Sequence, residues 1–172
     1  MRHIGFSGGS LIVELGTTND VALFFDTLVF FTKQQSPVED WTLLTETFYK
    51  RYICKEDASS SLILMRKTKE IFSRIHSSSV EWRKLVMSYP NNISLNIESS
   101  TLSEIFSRYF SAFEECIESA EVMFDTFKSY PGYRYEPVKV VITDMPWYLE
   151  DKNRPLEVYD ALGPDDLPFW LR

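Results

Sequence analysis

A chain of 172 residues, 44% hydrophobic and 15% aromatic, is long enough to bury one core and too apolar to stay disordered. A net charge of −7 and a sequence pI near 4.9 oppose contact with a phosphate backbone, so direct nucleic-acid binding is not expected. Two cysteines, Cys54 and Cys116, read as small buried hydrophobes of a reducing compartment. No run is long enough to span a membrane and residues 1–9 lack the apolar stretch of a signal peptide, so the expectation is one cytoplasmic domain covering 1–172.

From the N-terminus, Gly5-Phe6-Ser7-Gly8-Gly9 reads as a flexible turn, and residues 10–15, which alternate apolar positions before Gly16, read as a short strand. Residues 17–20 supply caps for a helix running to about Lys33, with Val21, Phe24, Phe25, Leu28 and Phe31 on its apolar face. Pro37, Glu39 and Asp40 open a second helix carrying Trp41, Leu44, Phe48 and Tyr52, with Ile53 at its end. Asp57 is placed to cap a third, which runs to Ile75 and buries Leu64, Met65, Ile71 and Phe72. The third helix also carries Arg66, Lys67, Lys69 and Arg74, a basic solvated face. Residues 77–79 form a loop, 80–86 read as a strand, 89–92 as a turn and 93–97 as another strand.

The longest periodic stretch is 102–128. Leu102, Ile105, Phe106, Tyr109, Phe110, Phe113, Cys116, Ile117, Ala120, Met123, Phe124 and Phe127 recur at steps of three and four. Thr101 and Glu104 have capping-box spacing, Pro131-Gly132 stops the helix, and Ser107 and Ser111 permit a break near Tyr109. Its outer face carries Glu114, Glu115, Glu118, Glu121 and Asp125, which suits either a solvated face or a surface turned to a basic partner. Residues 138–143, β-branched and almost wholly apolar, read as a central buried strand. The closing segment 144–172 is irregular and acidic, with seven acids against Lys152 and Arg154 up to Pro168. Its aromatics give it enough apolar area to dock on the body. The fold class is therefore α+β, with one small sheet of about four or five strands packed against several helices, one of them long.

No motif supplies catalytic chemistry. Gly5-Phe6-Ser7-Gly8-Gly9 matches the G-x-S-x-G nucleophile elbow in letters, but only four residues precede it and no histidine follows later than His76. His3 and His76 cannot build a histidine-rich metal site, and His76 sits where a helix end favours a capping or solvent-facing role. The pairs Glu150-Asp151 and Asp165-Asp166 lack the glycine-punctuated spacing of a calcium loop. The sequon at Asn92-Ile93-Ser94 carries no meaning in a cytoplasmic protein. No metal and no cofactor is expected.

Several segments nonetheless have a family look: the opening strand 10–15 feeding an aromatic helix, Phe48-Tyr49-Lys50-Arg51-Tyr52, Glu70-Ile71-Phe72-Ser73, Asn92-Ile93-Ser94, Asp144-Met145-Pro146-Trp147-Tyr148 and Phe169-Trp170-Leu171-Arg172. Together they resemble the immunity-protein family numbered seventy, of bacterial polymorphic-toxin and contact-dependent growth inhibition systems. That resemblance implies a non-enzymatic inhibitor binding one cognate toxin domain, one to one, inside the producing cell. Many such toxins are nucleases with basic clefts, which an acidic surface would steer towards and occlude. The residues then expected at the interface are Glu114, Glu118, Glu121 and Asp125 of the long helix, with Trp147, Tyr148, Glu150, Asp151, Asp165 and Asp166 of the closing segment. Trp147 and Tyr148 serve equally well as core residues. The alternative is an acidic adaptor domain for another basic protein.

Overall fold

The computed structural model describes residues 2–85, 93–98 and 100–172. Its sheet has three strands in the order β2-β1-β3, with β1 (His3–Gly8) antiparallel to both β2 (Leu11–Thr17) and β3 (Lys139–Ile142). The α+β class stands, with fewer strands than the four or five expected. The stretch read as a flexible N-terminal turn is the central strand. Ile4 and Phe6 are fully buried on its core face, while Gly5 and Ser7 alternate onto the other. Glycine spacing had hidden this period of two.

The β1–β2 hairpin turns at Gly9, whose φ of 57° lies in the left-handed region. A Cβ at Gly8 would stand 2.5 Å from the Cys116 carbonyl oxygen, and one at Gly9 would stand 2.5 Å from that of Ser119. The long helix can therefore lie against the hairpin backbone, and only glycine allows this approach.

Helix α1 (Thr18–Gln35) begins where the sequence places it. Thr17 and Asp20 form a capping box, and the Ser36 N–H closes the far end on the Thr32 carbonyl. The segment expected as a second helix is π-helical over Leu43–Phe48. Ile53 leaves it and donates its N–H to the Val138 carbonyl at 2.8 Å. Helix α2 (Ala58–Ser73) follows a 3-10 turn at Lys55–Asp57; Asp57 makes no side-chain cap, and its carboxylate accepts from the Cys54 thiol at 3.3 Å.

The expected strand at 80–86 is not one: the chain makes a 3-10 turn at Ser77–Ser79, capped by His76, and the short helix α3 (Trp82–Leu85). Val86 and the turn expected at 89–92 lie outside the described residues. Residues 93–97 form no strand either. The Ser94 N–H, which a sheet neighbour would otherwise take, is taken by the Asp20 carboxylate at 2.8 Å.

The long periodic stretch is two helices, α4 (Leu102–Ile105) and α5 (Ser107–Phe127), with the break at Phe106 rather than near Tyr109. Phe106 sits at φ −101°, ψ 18°, fully buried among Phe24, Phe72 and Tyr109. These rings join a larger cluster. Phe6 and Phe48 lie 4.9 Å apart between centroids, Phe24 and Tyr109 4.8 Å, and Phe48 and Phe113 4.9 Å.

β3 is an edge strand, not a central one, yet all four of its residues are buried. Its outer edge is sealed twice, by the Ile53 bridge to Val138 and by the Asp151 carboxylate, which accepts the Ile142 N–H at 2.7 Å. Asp151 belongs to α6 (Trp147–Lys152), which is followed by α7 (Leu156–Asp160). The acidic closing segment is fastened by its backbone. Lys50 donates to the Gly163 and Pro164 carbonyls and Arg51 to those of Tyr159 and Leu162, while the buried Trp170 donates its indole N–H to the Tyr49 carbonyl at 2.9 Å. Among the described residues no helix is long and apolar enough to cross a membrane.

Candidate functional site

The ten residues singled out by charge and aromaticity do not converge. On α5, Glu115, Glu118, Val122 and Asp125 form an exposed stripe at helical spacing. Glu114 accepts from Arg66 of α2, with Nε at 3.1 Å, so the basic face of α2 neutralises one end of the stripe. Glu121 accepts from the Tyr135 hydroxyl at 3.2 Å, and Asp125 stands 3.6 Å from Lys128. Glu115 and Glu118 have no ion pair among the described residues.

The closing segment divides its acids among three places. Asp151 is only 2% exposed and spends its oxygens on Ile142 N–H and on Arg154, 2.8 Å away, so it offers no surface to a partner. Asp165 and Asp166 are exposed beside Lys50 and Arg51, and Asp166 accepts from the Gly163 N–H at 2.7 Å. Glu150 is exposed on α6.

Around Glu150 lies what the sequence left open. Trp147 is 55% exposed, and on either side of it Met145 is 66% and Leu149 49% exposed; Tyr148 is half-buried. No other five-residue stretch among the described residues exposes three large apolar side chains. Met145 and Leu149 had no signal in the sequence beyond ordinary apolar character. The 145–149 knuckle emerges at the His3 end of β1, where the Asp144 carboxylate accepts from the His3 backbone N–H at 2.5 Å and pairs with its ring Nδ1 at 2.8 Å. Glu14 lies 3.9 Å from the other nitrogen of that ring. The hydrogen bond from His3 to Asp144 is the main reason its imidazole is held above the ordinary histidine range, and the nearby Glu14 charge adds to it. Ser119 of α5 meets the hairpin at Gly9, the opposite end of β1, so the knuckle and the C-terminal half of the acidic stripe are separated by about 20 Å of strand.

Ser7 is not on an elbow. It lies in the central strand, directly paired with Lys139 of β3, and the sharp strand-to-helix turn that exposes a catalytic serine does not follow it. Among the described residues no three His, Cys, Asp or Glu side chains gather to hold a metal ion. No family model, curated protein or solved structure matches this chain.

Proposed function

We propose that this chain is a non-catalytic binding protein that neutralises a basic toxin domain by occlusion, docking one to one through the 145–149 knuckle. The observation that carries this reading is the outward Trp147 between Met145 and Leu149, with Glu150 beside it: an apolar centre with a charged neighbour is the anatomy of a protein interface. A large exposed aromatic costs solubility unless something covers it in use. The acids of α5, remote from the knuckle, contribute charge rather than contact. The net charge of −7 supports a basic partner, and the resemblance to the immunity family supports a toxin as that partner, met in the cytoplasm of the producing cell.

Co-expression with the toxin domain encoded immediately upstream, read as cell survival and as the Kd of the purified pair, tests this. Survival and a nanomolar or tighter Kd are expected. Trp147→Ala, which removes no core packing, is expected to weaken binding by at least about thirtyfold, an anchor's share of 2 kcal/mol or more, with Tm unchanged. Wild-type protein that neither binds nor protects would sink the toxin reading and leave an acidic adaptor domain with another basic partner.

A further inference from the structure

A cleft of about 450 Å³ opens on the face of the sheet opposite the aromatic core, a volume in the range that holds small-molecule ligands. Its floor is the end of β1 at Ser7. One wall is the 133–137 segment after α5, and the other is the 152–157 turn between α6 and α7. Three parts of the chain far apart in sequence therefore meet there. They bring cations together in a molecule of net charge −7: Arg134 from the first wall, Lys152 and Arg154 from the second, and Lys139 from the floor. Against them stand Glu136 and Glu157 on the lining, both exposed, and the buried Asp151 behind Arg154.

The four cations are not equally engaged. Arg154 is bound to Asp151, and its guanidinium lies 3.9 Å from the centre of the Phe169 ring, so it belongs to the scaffold. Arg134 reaches across the mouth to Glu157 at 3.6 Å, in a pair whose members are 81% and 72% exposed and which contributes little. Lys152 has no ion pair among the described residues. Lys139 is 4% exposed. Its ammonium donates to the Asp151 and Lys152 carbonyls at 3.2 and 2.8 Å and lies 5.0 Å from the Tyr159 ring centre. The two carbonyls take two of its three N–H groups and the ring faces the ammonium, while burial pulls its pKa down to about 8 even with Asp151 and Glu136 near. The Ser7 hydroxyl makes no hydrogen bond among the described residues. The Tyr133 hydroxyl is buried without a partner. Among the described residues the cleft thus holds a lysine without an ion pair and two hydroxyls without a hydrogen bond, beside an arginine held only by an exposed pair, an arrangement that suits an oxyanion such as a phosphoryl group.

We propose that this cleft binds the phosphoryl group of a small phosphorylated molecule, gripped between Arg134 and Lys152 above the Ser7 hydroxyl. The mouth pair Arg134–Glu157 is exchanged for Arg134–phosphate, and the anion adds negative charge above Lys139 to that of Asp151 and Glu136. The site lies on the sheet face reached by Ser7 and Lys139, so it is separate from the knuckle proposed to dock a toxin.

Calorimetric titration of the full chain with pyrophosphate, at physiological chloride, tests this. Saturable binding with one site per chain is expected. The double variant Arg134→Gln/Lys152→Gln loses two charge-assisted contacts and should bind at least about tenfold more weakly. Both side chains stand at the rim, so its circular dichroism and Tm should match the parent. Lys67→Gln/Arg74→Gln on α2 removes the same net charge elsewhere and should stay within about twofold of the parent. Absence of a saturable heat, or equal weakening in the two double variants, would overturn the proposal.

Discussion

The Asp20 carboxylate is wholly buried and accepts five hydrogen bonds, two from Thr17, two from Ser94 and a long one from the Leu95 N–H at 3.4 Å. One group thereby caps α1 and pins the chain at 94–95, seventy-four residues further on. Burial pushes its carboxyl up, but the hydrogen bonds from Ser94 and Thr17 together outweigh burial and hold it below the usual carboxylate range. The unfolded chain therefore takes up the proton first as pH falls. The stabilisation is complete above the unfolded value of about 3.9 and drains away as pH drops through the lower folded value. Asp20→Asn keeps one acceptor and turns an amide N–H₂ towards donors. It should cost about 2–3 kcal/mol at pH 7, a fall of roughly 5–10 °C in Tm. Thermal melts from pH 7 down to 3 should show the gap between parent and variant closing below pH 4. A gap constant across that range would mean that Asp20 is not ionised in the fold.

At the scale of elements, α5 carries Glu114, Glu115, Glu118, Glu121 and Asp125 within twelve positions, and among the described residues only Glu114, Glu121 and Asp125 find partners. Lysine at 118 would sit four residues after Glu114 and three before Glu121, turning two repulsions into attractions worth a few tenths of a kcal/mol each. Glu118→Lys should therefore raise Tm by about 1–3 °C. Loss of toxin affinity in the same variant would then be a loss of complementarity, not of folding. The period of this helix and the start of α1 at the 17–20 caps were legible because both are local, set by residues within one or two turns. What was not legible is long-range. The β1 strand hides its alternation behind Gly5 and Gly8, whose missing side chains serve the close approach of β2 and of α5 respectively. Residues 93–97 look like a strand, but the Ser94 and Leu95 N–H groups go to a carboxylate on α1. Asp151 looks like a surface acid and seals an edge strand. Of the candidate site, the exposure of Glu150 follows from α6 packing against β3 by its Asp151 side, which no spacing in the sequence encodes.

For the whole molecule, the exposed acids expected at an interface stand in separate groups: the stripe on α5, Glu150 at the knuckle, and Asp165 with Asp166 in the 163–168 loop. The separation of about 20 Å between the knuckle and the C-terminal half of the stripe exceeds the Debye length of ~8 Å at physiological ionic strength but not the ~30 Å at 0.01 M. A basic partner approaching at low salt therefore feels the charge of −7 as one field, whereas at physiological salt it feels only the group it faces. The association rate constant with a toxin domain should fall by one to two orders of magnitude, on the scale of ~10⁸ to ~10⁶ M⁻¹s⁻¹, as salt rises between those limits. The dissociation rate constant should change little, because desolvated apolar contacts hold the complex once formed. Two variants separate these contributions in one stopped-flow experiment. Glu118→Lys, remote from the knuckle, should lower the association rate at low salt, converge with the parent at high salt and leave dissociation alone. Trp147→Ala should raise the dissociation rate at every salt concentration and leave association within about threefold. If Glu118→Lys instead accelerates dissociation, the α5 stripe lies inside the interface and the knuckle is not its centre.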